Sequence, residues 1–229
     1  MSTVLIAGAS RGIGLELANQ YAAAGDDVVA CARDKNAADL LEEAASNSSN
    51  ITIVEMDIGN PTSIEAAADV IGNRPIDTLI ISAGAVGGGR QTLDDLDIEE
   101  WHNTLNINTI GPALVANAFK DNLVASGNGN LMIMSSQLAA STWPMGGMYI
   151  YSTTKAAVSK VVQCLALDWA AEPVTVTVVH PGWVQTDMGG PQAEITAEES
   201  ASGIRAVISG LTKEDSGKFY KWNGEIHPW

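Results

Sequence analysis

The sequence predicts an α/β protein built on a doubly wound parallel sheet with helices on both faces. Three observations carry this. Short runs rich in Val and Ile alternate along the chain with longer segments of helical patterning. Those runs lack the in-and-out alternation of a half-solvated sheet, as expected of strands covered on both faces. Strand–helix alternation then implies parallel strands joined by right-handed crossovers, with a binding site at their carboxyl ends. The chain has 229 residues, which suits one such domain spanning 1–229 with a well-buried core.

The first strand, 3–7, is an apolar run that ends in a glycine-rich turn, and a helix follows over 12–24. Strands at 27–32, 51–55, 77–82, 130–135 and 174–179 are bounded by Gly, Asn, Asp or Pro. Between them helical patterns fall at 37–46, 63–71, 98–125 and 151–171. A last helix fits 197–211, with Thr196 as its N-cap. Gly87-Gly88-Gly89 reads as a mobile loop tip. The glycine-containing stretch at 182–190 reads as a flexible lid, part of a cofactor and substrate loop at 183–196.

Composition excludes several classes of function. The formal net charge is −15, from 12 Lys+Arg against 27 Asp+Glu. Such a surface repels nucleic acid and anionic lipid. No apolar run approaches the ~20 residues that span a bilayer, and the first residues lack a signal peptide's charged start and cleavage site. A cytoplasmic protein is the expectation. Cys31 and Cys164 have no metal-type spacing and read as reduced structural thiols. His102, His180 and His227 carry no such spacing either, so no metal is expected.

Chemistry enters through two motifs. Gly8-Ala9-Ser10-Arg11-Gly12-Ile13-Gly14 joins the first strand to the first helix, a place to hold a dinucleotide pyrophosphate. Gly8 suits a tight turn, Gly12 a close approach to phosphate, and Gly14 close helix–sheet packing. Tyr151 and Lys155 are four apart, so on a helix they share a face. Tyr-x-x-x-Lys alone is a weak signal, far more often a feature of an amphipathic surface helix. Its companions strengthen it: Ser135 and Ser136 end a strand upstream, and Asn106 and Asn108 lie in a long helical segment. At the end of the second strand stands Arg33, and Arg11 sits inside the glycine turn. Two arginines there, in a chain poor in bases, favour a 2′-phosphate and so NADP(H) over NAD(H), with Asp34 as the complicating neighbour. Trp143, Met145, Met148, Trp183 and Met188 cluster around the motif segments. Of these Trp143, Met148, Trp183 and Met188 are candidates for an apolar substrate wall.

With these motifs in order along its length, the chain resembles the short-chain dehydrogenase/reductase superfamily. The resemblance runs from the glycine turn through Ser82-Ala83-Gly84, Asn108-Thr109-Ile110-Gly111, Ser135-Ser136 and Tyr151 to Lys155, and on to His180-Pro181-Gly182. The segments Gly147-Met148-Tyr149-Ile150-Tyr151 and 180–190, and the ending 217–229, are similar to the C-factor and sniffer-type carbonyl reductase group. The family often has Thr where this chain has Ala7 and Asn where it has Ser82, two departures that bear on support of the cofactor loop. The resemblance implies a Rossmann-type domain. It makes Tyr151 the acid/base, Lys155 its partner, Ser136 (over Ser135) the carbonyl anchor and Asn108 a proton-relay residue. Tyr149 is the competing tyrosine, but it has no lysine four residues on. The resemblance also implies cofactor contacts from Gly8, Ser10, Arg11, Gly12, Ile13, Gly14, Asp57, Ile58, Ala83, Gly84, Pro181, Gly182, Val184 and Thr186. It implies NADPH-dependent reduction of an aldehyde or ketone, and a homodimer or homotetramer. The C-factor likeness also permits a dinucleotide-binding signalling role with incidental catalysis. A free tyrosine, with a pKa near ~10, is a poor acid/base at neutral pH. Lys155, together with an oxidised nicotinamide, is expected to favour the phenolate.

Overall fold

A computed structural model describes residues 1–35 and 38–229; Ala37, the first residue of the helix expected at 37–46, lies outside the described residues. The chain runs β1 (Thr3–Ala7), α1 (Gly12–Ala23), β2 (Asp27–Ala32), α2 (Asp39–Asn47), β3 (Ile51–Glu55), α3 (Pro61–Ile71) and β4 (Thr78–Ile81). A small antiparallel hairpin, β5 (Gln91–Thr92) with β6 (Asp95–Leu96), follows. Then come α4 (Ile98–Leu105), α5 (Gly111–Ala118), α6 (Lys120–Ala125), β7 (Gly129–Met134), α7 (Tyr149–Asp168), β8 (Val174–His180), α8 (Ala197–Gly210) and β9 (Phe219–Lys221).

Seven strands form one sheet in the order β3-β2-β1-β4-β7-β8-β9, and every neighbouring pair is parallel. The order reverses between β1 and β4, which opens a crevice at their carboxyl ends. Ala7 pairs with both Cys31 and Ile81, so the ends of β2, β1 and β4 lie level there. Side chains alternate between two apolar layers rather than between core and water. Leu5 and Ala7 face the layer shared with α3, α5 and α7. Val4 and Ile6 face the layer shared with α1, α2 and α8. Both faces are covered, which is why the strands show no polar alternation.

The helix expected over 98–125 runs through a π turn and is interrupted only at Phe119. After α4 comes a five-residue π turn, Asn106–Ile110, then α5 and α6. The sequence supplies the cause. Pro112 has no N–H to give to a continuous ladder. Gly111 lets the backbone press against β3's following loop: a Cβ there would lie 2.3 Å from the Ile58 carbonyl oxygen. α7 starts at Tyr149 rather than Tyr151, behind a left-handed Met148 (φ 51°). α8 carries the Thr196 cap, in a capping box with Glu199. No helix among the described residues is long and apolar enough to cross a membrane.

Candidate active site

The first crossover makes a cradle from backbone. Gly8 has φ 91°, and a Cβ on it would meet the Ala83 nitrogen at 2.6 Å. A Cβ on Gly14 would meet the Gly8 carbonyl oxygen at 2.0 Å, so the turn packs directly on α1. The N–H groups of Gly8 and Ala9 are tied to the Cys31 carbonyl. No side chain caps α1. Its first N–H groups therefore present a partial positive charge into the crevice, where Ser10, Gly12 and Ile13 lie.

Beyond the end of β2 an open groove of about 690 Å³ is lined by Arg33, Lys35, Asp57 and Asn60, among others. The Asp57 carboxylate accepts from the Gly59 N–H at 2.9 Å, and Ile58 is buried beside it. Lys35 was not singled out in the sequence. Its signal was its place two residues after Arg33, before a stretch of chain with no base until Arg74. Arg11 is not among the lining residues. Its guanidinium reaches Asp187 at 2.9 Å, both side chains being largely exposed.

At the crevice floor Ala83 N–H bonds the Ala7 carbonyl. A Cβ on Gly84 would lie 3.2 Å from Asn108 Oδ1 and 3.3 Å from Lys155 Nζ. The structure therefore brings Gly84, Asn108 and Lys155 together. Asn108 lies in the π turn and is fully buried. Its Nδ2 donates to the Ala85 carbonyl (2.8 Å) and Thr154 Oγ1 (3.0 Å), and its Oδ1 accepts from Ala85 N–H (2.8 Å). Both Nδ2 protons are engaged and Oδ1 accepts one bond, so these contacts fix the orientation of the amide.

The two serines at the end of β7 separate cleanly. Ser135 Oγ donates to the Lys155 carbonyl (3.1 Å) and lies 2.8 Å from Ser159 Oγ, all within the core. Ser136 Oγ instead hydrogen-bonds the Tyr151 phenol and accepts from the Leu138 N–H. Lys155 is buried. Its ammonium donates to the Met134 carbonyl at 2.9 Å and lies 5.9 Å from the Tyr151 ring centre. Burial pulls the Lys155 ammonium down to about 8.

Tyr151 takes its pKa from the protein groups around it. As a residue it is part-exposed, but desolvation of its phenol dominates and pushes its pKa up from the ordinary 10.0, with the Ser136 hydrogen bond opposing. Lys155 is not a cause of any lowering. With protein groups alone the phenol is held protonated, the state of a proton donor.

His180 ends β8 as a buried ring, pushed down to about 4 chiefly by burial and hence neutral, edge-on to His227. The 183–196 segment is held by contacts of its own. Trp183 Nε1 donates to the Gly189 carbonyl (2.8 Å), and the Gly189 N–H donates to Thr186 Oγ1 (3.2 Å). Val184 is buried and bridges Ile195. Pro181's carbonyl accepts from Ser200 Oγ (2.6 Å), and Gly182 packs against Ile195 and Trp222. Thr186 touches the glycine turn: a Cβ on Gly12 would lie 3.2 Å from its Cγ2.

A second groove, of about 250 Å³, is lined by Trp143 with Leu138, Met145, Tyr149, Ser152 and Thr153. Of the four expected wall residues only Trp143 lies there. Met148, Trp183 and Met188 do not line it; Trp183 and Met188 are half-exposed on the 183–196 segment.

The family model described as short chain dehydrogenase matches residues 2–197. The C-signal protein of Myxococcus xanthus is 39% identical over 158 residues, covering 68% of this chain and 93% of that one. Among solved structures, an NADPH-bound carbonyl reductase from chicken fatty liver superposes with a TM-score of 0.92 at 30% identity, covering 100% of this chain and 99% of that one. The carbonyl reductase Sniffer of D. melanogaster superposes with a TM-score of 0.92 at 28% identity over the whole of both chains.

Proposed function

The chain belongs to the short-chain dehydrogenase family and is an NAD(P)-dependent oxidoreductase; from that premise we propose that it is an NADPH-dependent carbonyl reductase whose proton donor is Tyr151. The observation that carries this is the Ser136–Tyr151 hydrogen bond at the end of β7, with buried Lys155 beneath the Tyr151 ring.

The residues present fit a dinucleotide. The turn packs too closely for side chains, since a Cβ on Gly8 or Gly14 would collide with backbone and one on Gly12 would press on Thr186, and α1 has no side-chain cap, so its N–H groups are left for a ligand. The turn, with Ser10, Arg11 and Ile13, would hold the pyrophosphate. Arg33 and Lys35 would hold the 2′-phosphate, Asp57 and Ile58 the adenine, and Ala83, Gly84 and Lys155 the nicotinamide ribose. Pro181, Gly182, Val184 and Thr186 would border the nicotinamide. When bound, the reduced nicotinamide supplies the hydride.

The chain's own groups do the rest. Ser136 donates to the substrate oxygen, where negative charge develops. Tyr151, kept protonated by burial, gives its proton to that oxygen. Lys155 places a cation beside the phenol as it ionises. The Asn108 side chain is held by Ala85 and Thr154. Asn108 would take part in the relay that reprotonates Tyr151.

Substrates are uncharged apolar or aromatic carbonyl compounds on this reading. No Asp, Glu, Lys or Arg lines the Trp143 groove, and the acidic surface disfavours anions. The test is NADPH oxidation with a panel of aldehydes and ketones. Turnover favouring aromatic carbonyls supports the reading; best turnover with small keto acids contradicts its substrate part. The C-signal likeness favours a second reading, a dinucleotide-binding signalling protein. Binding of NADPH without turnover of any carbonyl would favour that one.

A further inference from the structure

Gln91 opens the β5–β6 hairpin with its side chain buried. Its Nε2 donates to the carbonyls of Val86 (2.9 Å) and Gly88 (3.1 Å), and its Oε1 accepts from the backbone N–H of Tyr151 (3.1 Å). Both donors meet carbonyls and the acceptor meets an N–H. The partners fix the amide's orientation, and a carboxylate cannot replace it. The Tyr151 N–H is among those the first turn of a helix leaves without an intrahelical acceptor. α7 has no cap of its own, because left-handed Met148 contributes none. Gln91 supplies the cap from 60 residues away.

Two further contacts join the same loop to the same helical turn. A Cβ on Gly87 would lie 2.4 Å from Ile150 Cγ2. Asn108 binds both polar backbone atoms of Ala85 and donates to Thr154 Oγ1, which donates to the Tyr151 carbonyl at 2.9 Å. The Tyr151 backbone is therefore gripped at its N–H through Gln91 and at its C=O through Thr154. Both grips lead to the loop that begins with Ala83 and Gly84.

We infer that Gln91 is a positioning residue that sets Tyr151 against the floor of the cofactor crevice. Its catalytic consequence rests on the carbonyl-reductase reading; its existence as a clamp does not. Gln91→Met keeps the length and removes all three hydrogen bonds. Amide exchange of Tyr151 should then rise about tenfold or more while exchange in β1 and β8 stays as in the wild type. For an aromatic aldehyde, kcat should fall roughly tenfold to a hundredfold, with KM and the NADPH Kd changed less than about twofold. Gln91→Glu should lose activity to a similar degree, since two of its contacts become oxygen facing oxygen.

Wild-type exchange at Tyr151 together with wild-type kcat in Gln91→Met overturns the clamp. If core exchange also rises in that variant, Gln91→Asn decides, because it keeps the amide and shortens its reach by one methylene. A fall in kcat alone supports the clamp, and an unchanged kcat overturns it. A wild type that reduces no carbonyl compound overturns the reductase reading, and the exchange experiment still decides the clamp.

Discussion

The Lys155 ammonium donates to the carbonyl of Met134 at 2.9 Å, inside the protein, with no carboxylate among its hydrogen-bond or ion-pair partners. Its pKa falls from 10.5 to about 8 because burial penalises the charged form. Below about 8 both folded and unfolded chains carry this proton, and the folded state bears the full desolvation cost. Between about 8 and 10.5 the unfolded chain binds the extra proton, so this contribution to stability rises with pH. Lys155→Met should be more stable than the wild type at pH 7, by up to roughly 3 kcal/mol before about 1 kcal/mol is returned for the lost hydrogen bond. The advantage should shrink towards pH 10. Denaturant melts of both proteins across that range measure it, and a constant gap, or a less stable mutant at pH 7, would contradict the account.

The adjacent serines should respond in opposite ways. Ser135→Ala removes two buried hydrogen bonds but leaves Ser159 Oγ donating to the Lys155 carbonyl (2.9 Å), so it should cost about 1 kcal/mol of stability and spare kcat. Ser136→Ala removes the donor facing the substrate oxygen, so kcat should fall on the order of a hundredfold with little loss of stability. Thermal melts and initial rates of the two variants check this. A reversed pattern would place the carbonyl anchor at Ser135.

Cofactor choice should depend on the pair Arg33 and Lys35. Each charge-assisted hydrogen bond to a phosphate is worth about 1.5–3 kcal/mol, roughly tenfold to more than a hundredfold in affinity. Arg33→Ala and Lys35→Ala should each weaken NADPH binding to about this extent and leave NADH nearly unchanged. Arg11→Ala should do less, since its guanidinium is committed to Asp187. Calorimetric Kd values for both cofactors decide; equal affinities in the wild type would remove the 2′-phosphate site.

What could be read from the sequence, and what could not, follows from burial and distance along the chain. The bounds of β1, β2 and β3 coincide with the runs at 3–7, 27–32 and 51–55, because turn residues flank each run and both faces of β1 and β2 are covered, while edge strand β3 leaves Thr52 and Glu55 exposed. β9 was missed: Phe219-Tyr220-Lys221 is too short to show a pattern and is a strand only because β8 lies beside it. The π turn at 106–110 was not visible because helical periodicity runs through it, with Gly111-Pro112 as the local signal. In the site, the family motifs named Asn108, Ser136, Tyr151 and Lys155, and the fold brings their side chains near one another. Gln91 follows no spacing rule, since its contact with Tyr151 exists only after the loop folds back. The direction of the Tyr151 shift was also hidden. An i,i+4 lysine argues for lowering, but with protein groups alone desolvation, which no local pattern reports, dominates and only the Ser136 hydrogen bond opposes it.

The central claim is that Tyr151 delivers the proton. Its most direct test is single-turnover reduction of an aromatic aldehyde at saturating NADPH by the wild type, Tyr151→Phe and Tyr149→Phe. The phenylalanine at 151 keeps the ring and removes only the donor. The account predicts wild-type NADPH affinity with the rate lowered by roughly 10²–10⁴ in Tyr151→Phe, and near-wild-type behaviour in Tyr149→Phe. Most of the rate surviving in Tyr151→Phe, with the loss appearing in Tyr149→Phe instead, would contradict it.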